Sequence, residues 1–163
     1  MRRLPAGAIN VGAVVRANAL RLMMLLAMEP DHRHTIEEVA RRYGISRNHL
    51  MKVAQTLVQA GFIGGLRGRG GGLRLELPAG AINVGAVVRA TEDSFALVEC
   101  FDRERNACVI SPACGLRGVL DEALRAFLAV LDRYSLADLV ASPGSVRRMR
   151  RLLSDPLAIE ARP

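Results

Sequence analysis

The 163-residue sequence predicts a mainly α-helical fold with a small β wing, and three observations carry that expectation. Half of the residues are apolar, yet only 4% are aromatic and Trp is absent, so the core is aliphatic, which suits packed helices better than a β-sandwich. Apolar residues recur at spacings of three and four over several segments. One stretch, FIGGLRGRGGGLRLELP, instead sets two apolar runs around a Gly-rich tip. The length suits one compact core with an appendage.

The elements follow in order. Residues 4–17 read LPAGAINVGAVVRA, and residues 77–90 repeat them without change. Two short copies do not make a repeat architecture, so the first reads as a recent local duplication or an aberrant start and the second as the native context. A first helix is expected over 13–28, with Val14, Val15, Leu20, Met23, Met24, Ala27 and Met28 inward, ending before Pro30. Arg16, Asn18 and Arg21 interrupt its apolar run, which disfavours a membrane span or a secretory signal and points to the cytoplasm.

Thr35 and Glu38 form an S/T-x-x-E box that opens a short helix through Tyr43, with Ile36, Val39 and Ala40 inward, and Gly44 breaks it. Ser46 caps the next helix, whose stripe is Leu50, Val53, Leu57 and Ala60 and whose left-handed stop is Gly61. Helix, Gly-containing turn, helix is the helix-turn-helix pattern. Residues 62–66 and 72–77 then read as the two strands of a β-hairpin wing. A further helix is expected over 82–94, with Val84, Val87 and Val88 inward. From Leu116 the positions Val119, Leu120, Ala123, Leu124, Phe127, Val130 and Leu131 continue a helical stripe for about 17 residues, roughly 25 Å. So long and apolar a helix has little left in its own chain to cover it, and is read as a dimerisation helix. The predicted organisation is a winged helix-turn-helix DNA-binding domain over 1–92, a cysteine loop and dimer helix over 93–140, and a solvated, mobile tail from 141, which carries RRMRR.

The net charge of +7 is localised. Between Val39 and Leu75 no Asp or Glu occurs, while Arg41, Arg42, Arg47, Lys52, Arg67, Arg69 and Arg74 supply seven of the 23 basic residues; the rest of the chain is balanced. A neutral body with one basic segment is the footprint of a polyanion binder. The candidate DNA contacts are Ser46, Arg47, Asn48, His49, Lys52 and Gln55 on the second helix, with Arg suited to guanine and Asn or Gln to adenine. Arg67 and Arg69 at the wing tip suit phosphates or a minor groove. The Gly-rich tip lacks the G-K-[ST] of a nucleotide-binding P-loop.

Cys100, Cys108 and Cys114 are the chain's three cysteines, an odd and clustered set that argues against a disulfide framework and for a reducing compartment. Their spacing is not that of a zinc knuckle. Soft thiolates on a loop, with Arg103, Arg105 and Arg117 nearby to favour the charged form, suit an iron-sulfur cluster; three unrelated thiols fit the spacing equally well. His32, His34 and His49 each suit an ordinary surface or helix position. A thiol redox enzyme finds no C-x-x-C pair and no neighbouring catalytic His, so an enzyme is not expected.

The segments ISRNHLMKV, GGLRGRGGGLRL, LVECF, the C-x5-C run leading into GLRGVL, and LDRYSLADL occur in this order. Over about residues 19–140 the chain resembles the winged-helix iron-sulfur transcription regulators of the NsrR/IscR family, and most closely their nitric-oxide-sensing repressors. The resemblance implies a homodimer on double-stranded operator DNA and a two-iron or four-iron cluster on Cys100, Cys108 and Cys114. It further implies that nitric oxide acts on that cluster to release the DNA near nitrosative-stress genes. A regulator of the same family that senses cluster supply or redox state instead is the alternative. Ala19, Leu20 and Arg21 match the family's A-L-R, but Ala17 stands where some members have an Asp that completes the cluster, so that ligand is missing.

Overall fold

The computed structural model describes residues 11–66, 71–92, 95, 98–102 and 106–154. Helix α1 (Val11–Met28) is the central rod, followed by α2 (Ile36–Tyr43), α3 (Arg47–Gln59), strands β1 (Ile63–Leu66) and β2 (Gly72–Leu75), α4 (Val84–Ala90), α5 (Gly115–Leu131), α6 (Leu136–Leu139) and α7 (Pro143–Ser154). Short 3-10 turns occupy Ala79–Ala81, Glu99–Phe101 and Ser111–Ala113. The structure is thus mainly helical with a two-stranded antiparallel sheet, as expected.

Local signals set the boundaries. Thr35 accepts the Glu38 amide at the start of α2, and Gly44, at φ 64°, lets Ile45 donate back to the Ala40 carbonyl at 2.9 Å. Gly61, at φ 75°, makes the left-handed turn from α3 into the wing. β1 and β2 pair with Ile63 opposite Leu75 and Leu66 opposite Gly72. A feature invisible in the sequence joins them: His34, in the α1–α2 linker, bridges to Leu73 through two backbone hydrogen bonds of 2.8 and 3.4 Å. The wing base packs so closely there that a Cβ on Gly72 would lie 3.0 Å from the Arg33 carbonyl carbon.

The core gathers Leu22, Met23, Leu25 and Leu26 of α1 with Val39, Leu50, Val53, Leu57, Ile63, Ile82, Val87 and Leu136. The one-sided reading of α1 needs correction. Asn18, Ala19, Leu22 and Leu25 are buried, whereas Val14, Val15, Leu20, Met24 and Ala27 are only half-buried. Neighbours surround α1 on most sides, so no single stripe defines its inner face. The two copies of VGAVVRA both form helix, the first as the start of α1 and the second as α4, but Val87 and Val88 are buried while Val14 and Val15 are only half-buried.

The helix expected over 82–94 is shorter. It begins after Asn83, whose side chain accepts the Ala86 amide, and ends at Thr91, whose hydroxyl folds back on the Val87 carbonyl; Ser94 lies outside the described residues. Asn83 also donates to the Asp132 carbonyl at 2.7 Å, and Arg89 grips the Asp132 carboxylate through two bonds of 2.6 and 2.5 Å. The C-terminal end of α5 is thereby pinned to the winged body.

Within the tail expected to be mobile, residues 155–163 lie outside the described residues, and Pro143–Ser154 form α7. Its Val146, Met149 and Leu153 recur at helical spacing and pack on the core, and Arg150 donates to the Met28 carbonyl at the end of α1. No helix among the described residues is long and apolar enough to cross a membrane.

Candidate functional site

Two regions collect the candidate residues. The first is the N-terminal half of α3. Leu50, Val53, Ala54 and Leu57 anchor it in the core, which leaves Asn48, Met51, Lys52 and Gln55 on one exposed face with Arg47 beside them. Ser46 is exposed, and its hydroxyl accepts the His49 amide at 3.3 Å, so its first task is to cap the helix. His49 departs from the set: it is half-buried, and its Nε2 is enclosed without a hydrogen-bond partner, so that atom is not offered to a base edge. The Arg47 guanidinium lies 3.6 Å from the Glu37 carboxylate of α2, both well exposed. The acid-free stretch therefore meets an acid in space that chain order hid. Such an exposed pair is worth at most about 1 kcal/mol, which leaves Arg47 able to exchange Glu37 for a phosphate. Arg41 and Arg74 are also exposed, Arg74 against Glu76 at 3.3 Å. The wing-tip candidates Arg67 and Arg69 lie outside the described residues.

The second region is the segment from Cys100 to Cys114. All three thiols are free; Cys100 is buried, and Cys108 and Cys114 are half-buried. The Cys108 amide donates to the Asn106 side chain at 3.1 Å, and its carbonyl accepts from Ser111 at 3.1 Å, which folds the loop into the 3-10 turn leading to α5. Cys114 is the residue that opens α5, at the pole where unpaired amides favour an anionic donor. Arg117 follows one turn on, while Arg103 and Arg105 lie outside the described residues. The three sulfurs do not form a group within 4.8 Å of one another, so they do not make a closed site for one ion. A wider centre with several metal atoms between the sulfurs suits their softness and their partial shelter.

Beyond this loop runs α5, none of whose residues is buried. Its apolar residues divide into two faces. Leu120, Leu124, Leu128 and Leu131 are half-covered by the chain itself, and Leu116, Val119, Ala123, Phe127 and Val130 form an exposed stripe. Ile110 and Val109 of the cysteine loop, at 66% and 93% exposure, lie open near its start.

Comparison with known proteins places this arrangement. The model of the Rrf2 family, described as iron-dependent transcriptional regulators, matches residues 15–142. The chain is 50% identical over 135 residues to the HTH-type transcriptional regulator NsrR of Bacillus subtilis, covering 82% of this chain and 92% of that protein. It is 47% identical over 132 residues to NsrR of Shouchella clausii, covering 80% and 89%. Among solved structures, CymR, the global cysteine regulator of B. subtilis, superposes with a TM-score of 0.61 at 24% identity, over 86% of this chain and 98% of that one. IscR of T. potens gives 0.64 at 23% identity, over 83% and 89%. These structural neighbours share the fold.

Proposed function

Because the chain belongs to the Rrf2 family of iron-dependent transcriptional regulators, we propose that it is a homodimeric repressor that binds operator DNA through α3 and the wing and lets go in response to nitric oxide. Its family and its relatives are transcriptional regulators rather than enzymes. The observation that carries the proposal is the position of the three free thiols, on one segment between the winged body and the uncovered stripe of α5. Cys100, Cys108 and Cys114 would hold an iron-sulfur cluster, which when bound supplies iron reactive toward nitric oxide.

The chain's own part is mechanical. Three sulfurs held to one centre tie the turn at Cys100 to the start of α5 at Cys114, while the Arg89–Asp132 pair fixes the far end of α5 to α4. With both ends fixed, the two-fold pairing of α5 sets the separation of the two α3 helices, which must be about one DNA turn, 34–36 Å. Freeing the sulfurs frees one end. A coupling of about 1–3 kcal/mol suffices to change operator affinity roughly 5- to 150-fold. Ala17, on α1, brings no ligand to this centre.

Operator binding should be strongly salt-dependent. If Arg41, Arg47 and Lys52 of both subunits each neutralise one phosphate, the log–log slope of affinity against salt is about −5, and Lys52→Ala reduces it by about 2 per dimer. Anaerobic fluorescence anisotropy on an operator duplex, with and without nitric oxide, measures both terms. A slope near zero contradicts the DNA interface. Steep binding that ignores nitric oxide but follows an oxidant contradicts the signal and favours a redox-sensing member of the same family.

A further inference from the structure

The linker between α1 and α2 brings together three metal-ligating side chains remote from the cysteine loop, and we propose that His32, His34 and Glu38 form a binding site for one divalent transition-metal ion of the zinc class. The His32 Nε2 lies 3.2 Å from each oxygen of the Glu38 carboxylate, and the His34 Nδ1 lies 3.5 Å from its Oε1. All three ligand atoms fall within 4.8 Å of one another. A tetrahedral ion with bonds of about 2.0–2.1 Å spaces its ligand atoms about 3.3–3.4 Å apart, so these contacts have the length of the edges of such a polyhedron. As a hydrogen bond, the His34 contact is poor.

His34 supplies the independent observation. Its side chain is 0% exposed, yet neither ring nitrogen has a hydrogen-bond partner. Buried polar groups are rarely left so, because each lost hydrogen bond costs about 1–3 kcal/mol. An ion on Nδ1 satisfies one nitrogen. It also fixes the tautomer that places a proton on Nε2, which faces the Glu29 Oε2 at 3.4 Å. A carboxylate behind a ligating imidazole is the usual outer partner of such sites. Glu29 is itself held by Arg42 at 3.0 Å, and the Nε of the same guanidinium lies 3.5 Å from the Glu38 Oε1, so Arg42 offsets part of the charge of both carboxylates. What remains for the ion is one carboxylate and two imidazoles, a zinc-type donor set. The two rings stand nearly perpendicular, 75° apart with centroids separated by 4.4 Å. A cavity of about 390 Å3, lined by Glu29, Pro30, Asp31, His32 and Arg150, opens beside His32.

The backbone of His34 is also the strand-like bridge to Leu73. An ion on His34 and Glu38 therefore ties the wing base to the first turn of α2. The site uses no cysteine, and its occupancy does not depend on what the regulator senses.

Zinc titration of the full-length protein against a chromophoric chelator tests the site, in a Cys108→Ala background that breaks the three-thiol set. One zinc ion per chain is expected. His32→Ala removes a side chain that is 54% exposed and lies outside the hydrophobic core. It should weaken binding by at least the roughly 10- to 100-fold that loss of an outer partner costs, with helix content unchanged by circular dichroism. Glu38→Gln should weaken it likewise, and Glu29→Gln about 10- to 100-fold. No zinc uptake in the Cys108→Ala protein, or uptake that His32→Ala and Glu38→Gln leave unchanged, overturns the proposal.

Discussion

Replacing Cys108 with Ala is expected to leave anaerobically purified protein colourless and iron-poor, and to make its operator binding indifferent to nitric oxide. The expected change is all-or-none because three thiols are the minimum the loop offers, and no other sulfur exists in the chain to replace one except those of methionine. Cys108 is also the safest of the three to remove. Cys100 is buried, and Cys114 opens α5, whereas Cys108 is half-buried between exposed Ala107 and Val109. Its truncation touches no residue of the core, so stability should stay within about 0.5 kcal/mol of the cluster-free parent. Circular dichroism and thermal unfolding check the fold, and iron analysis with visible spectra checks the centre. Retention of the parent's iron content and nitric oxide response would refute the assignment of Cys108 as a ligand.

Readability from sequence followed the range of the interactions. Thr35, Ser46, Gly44 and Gly61 act on neighbours three or four residues away, and each stands where the sequence puts it. The stripe of Leu50, Val53 and Leu57 is equally plain, since one exposed and one buried face give α3 a clean period, but Ala60, expected to continue it, is exposed because α3 ends at Gln59 and Ala60 is its C-cap. Long-range contacts erased that clarity elsewhere. The burial of His34 depends on pairing with Leu73 in the wing, and nothing in the residues around His34 announces a distant strand. The arginines of α7 dominate its composition and mask Val146, Met149 and Leu153. The duplicated segment makes the same point most directly. VGAVVRA has one helical propensity in both places, but Val87 and Val88 are buried where Val14 and Val15 are half-buried, because neighbours decide burial. For the cysteines, spacing alone left cluster and coincidence equally open; the order of recognition helix, wing, cysteine loop and long helix carried the resemblance.

Phe127→Glu should convert the protein from dimer to monomer and lower operator affinity by about 100-fold or more. Phe127 is 47% exposed in the single chain, on the same stripe as Leu116, Val119, Ala123 and Val130. An isolated subunit would therefore accept Glu there at little cost, and Glu is a good helix former. In a two-fold dimer the same change places a charge from each subunit into an apolar seam, where desolvation costs several kcal/mol per ion and like charges gain no partner. Losing the seam uncouples the half-sites. A dimer reaches specific affinities of about 10−8 to 10−11 M, whereas single contacts fall toward the 10−4 to 10−6 M of non-specific binding. Size-exclusion chromatography with light scattering reads the mass, and anisotropy on the operator duplex reads the affinity. The cluster-loaded variant should keep its iron, which separates a failed seam from a failed fold. A Phe127→Glu protein that remains dimeric and binds its operator at parental strength would show that α5 is not the subunit interface, and that its exposed stripe is covered by something other than a second copy.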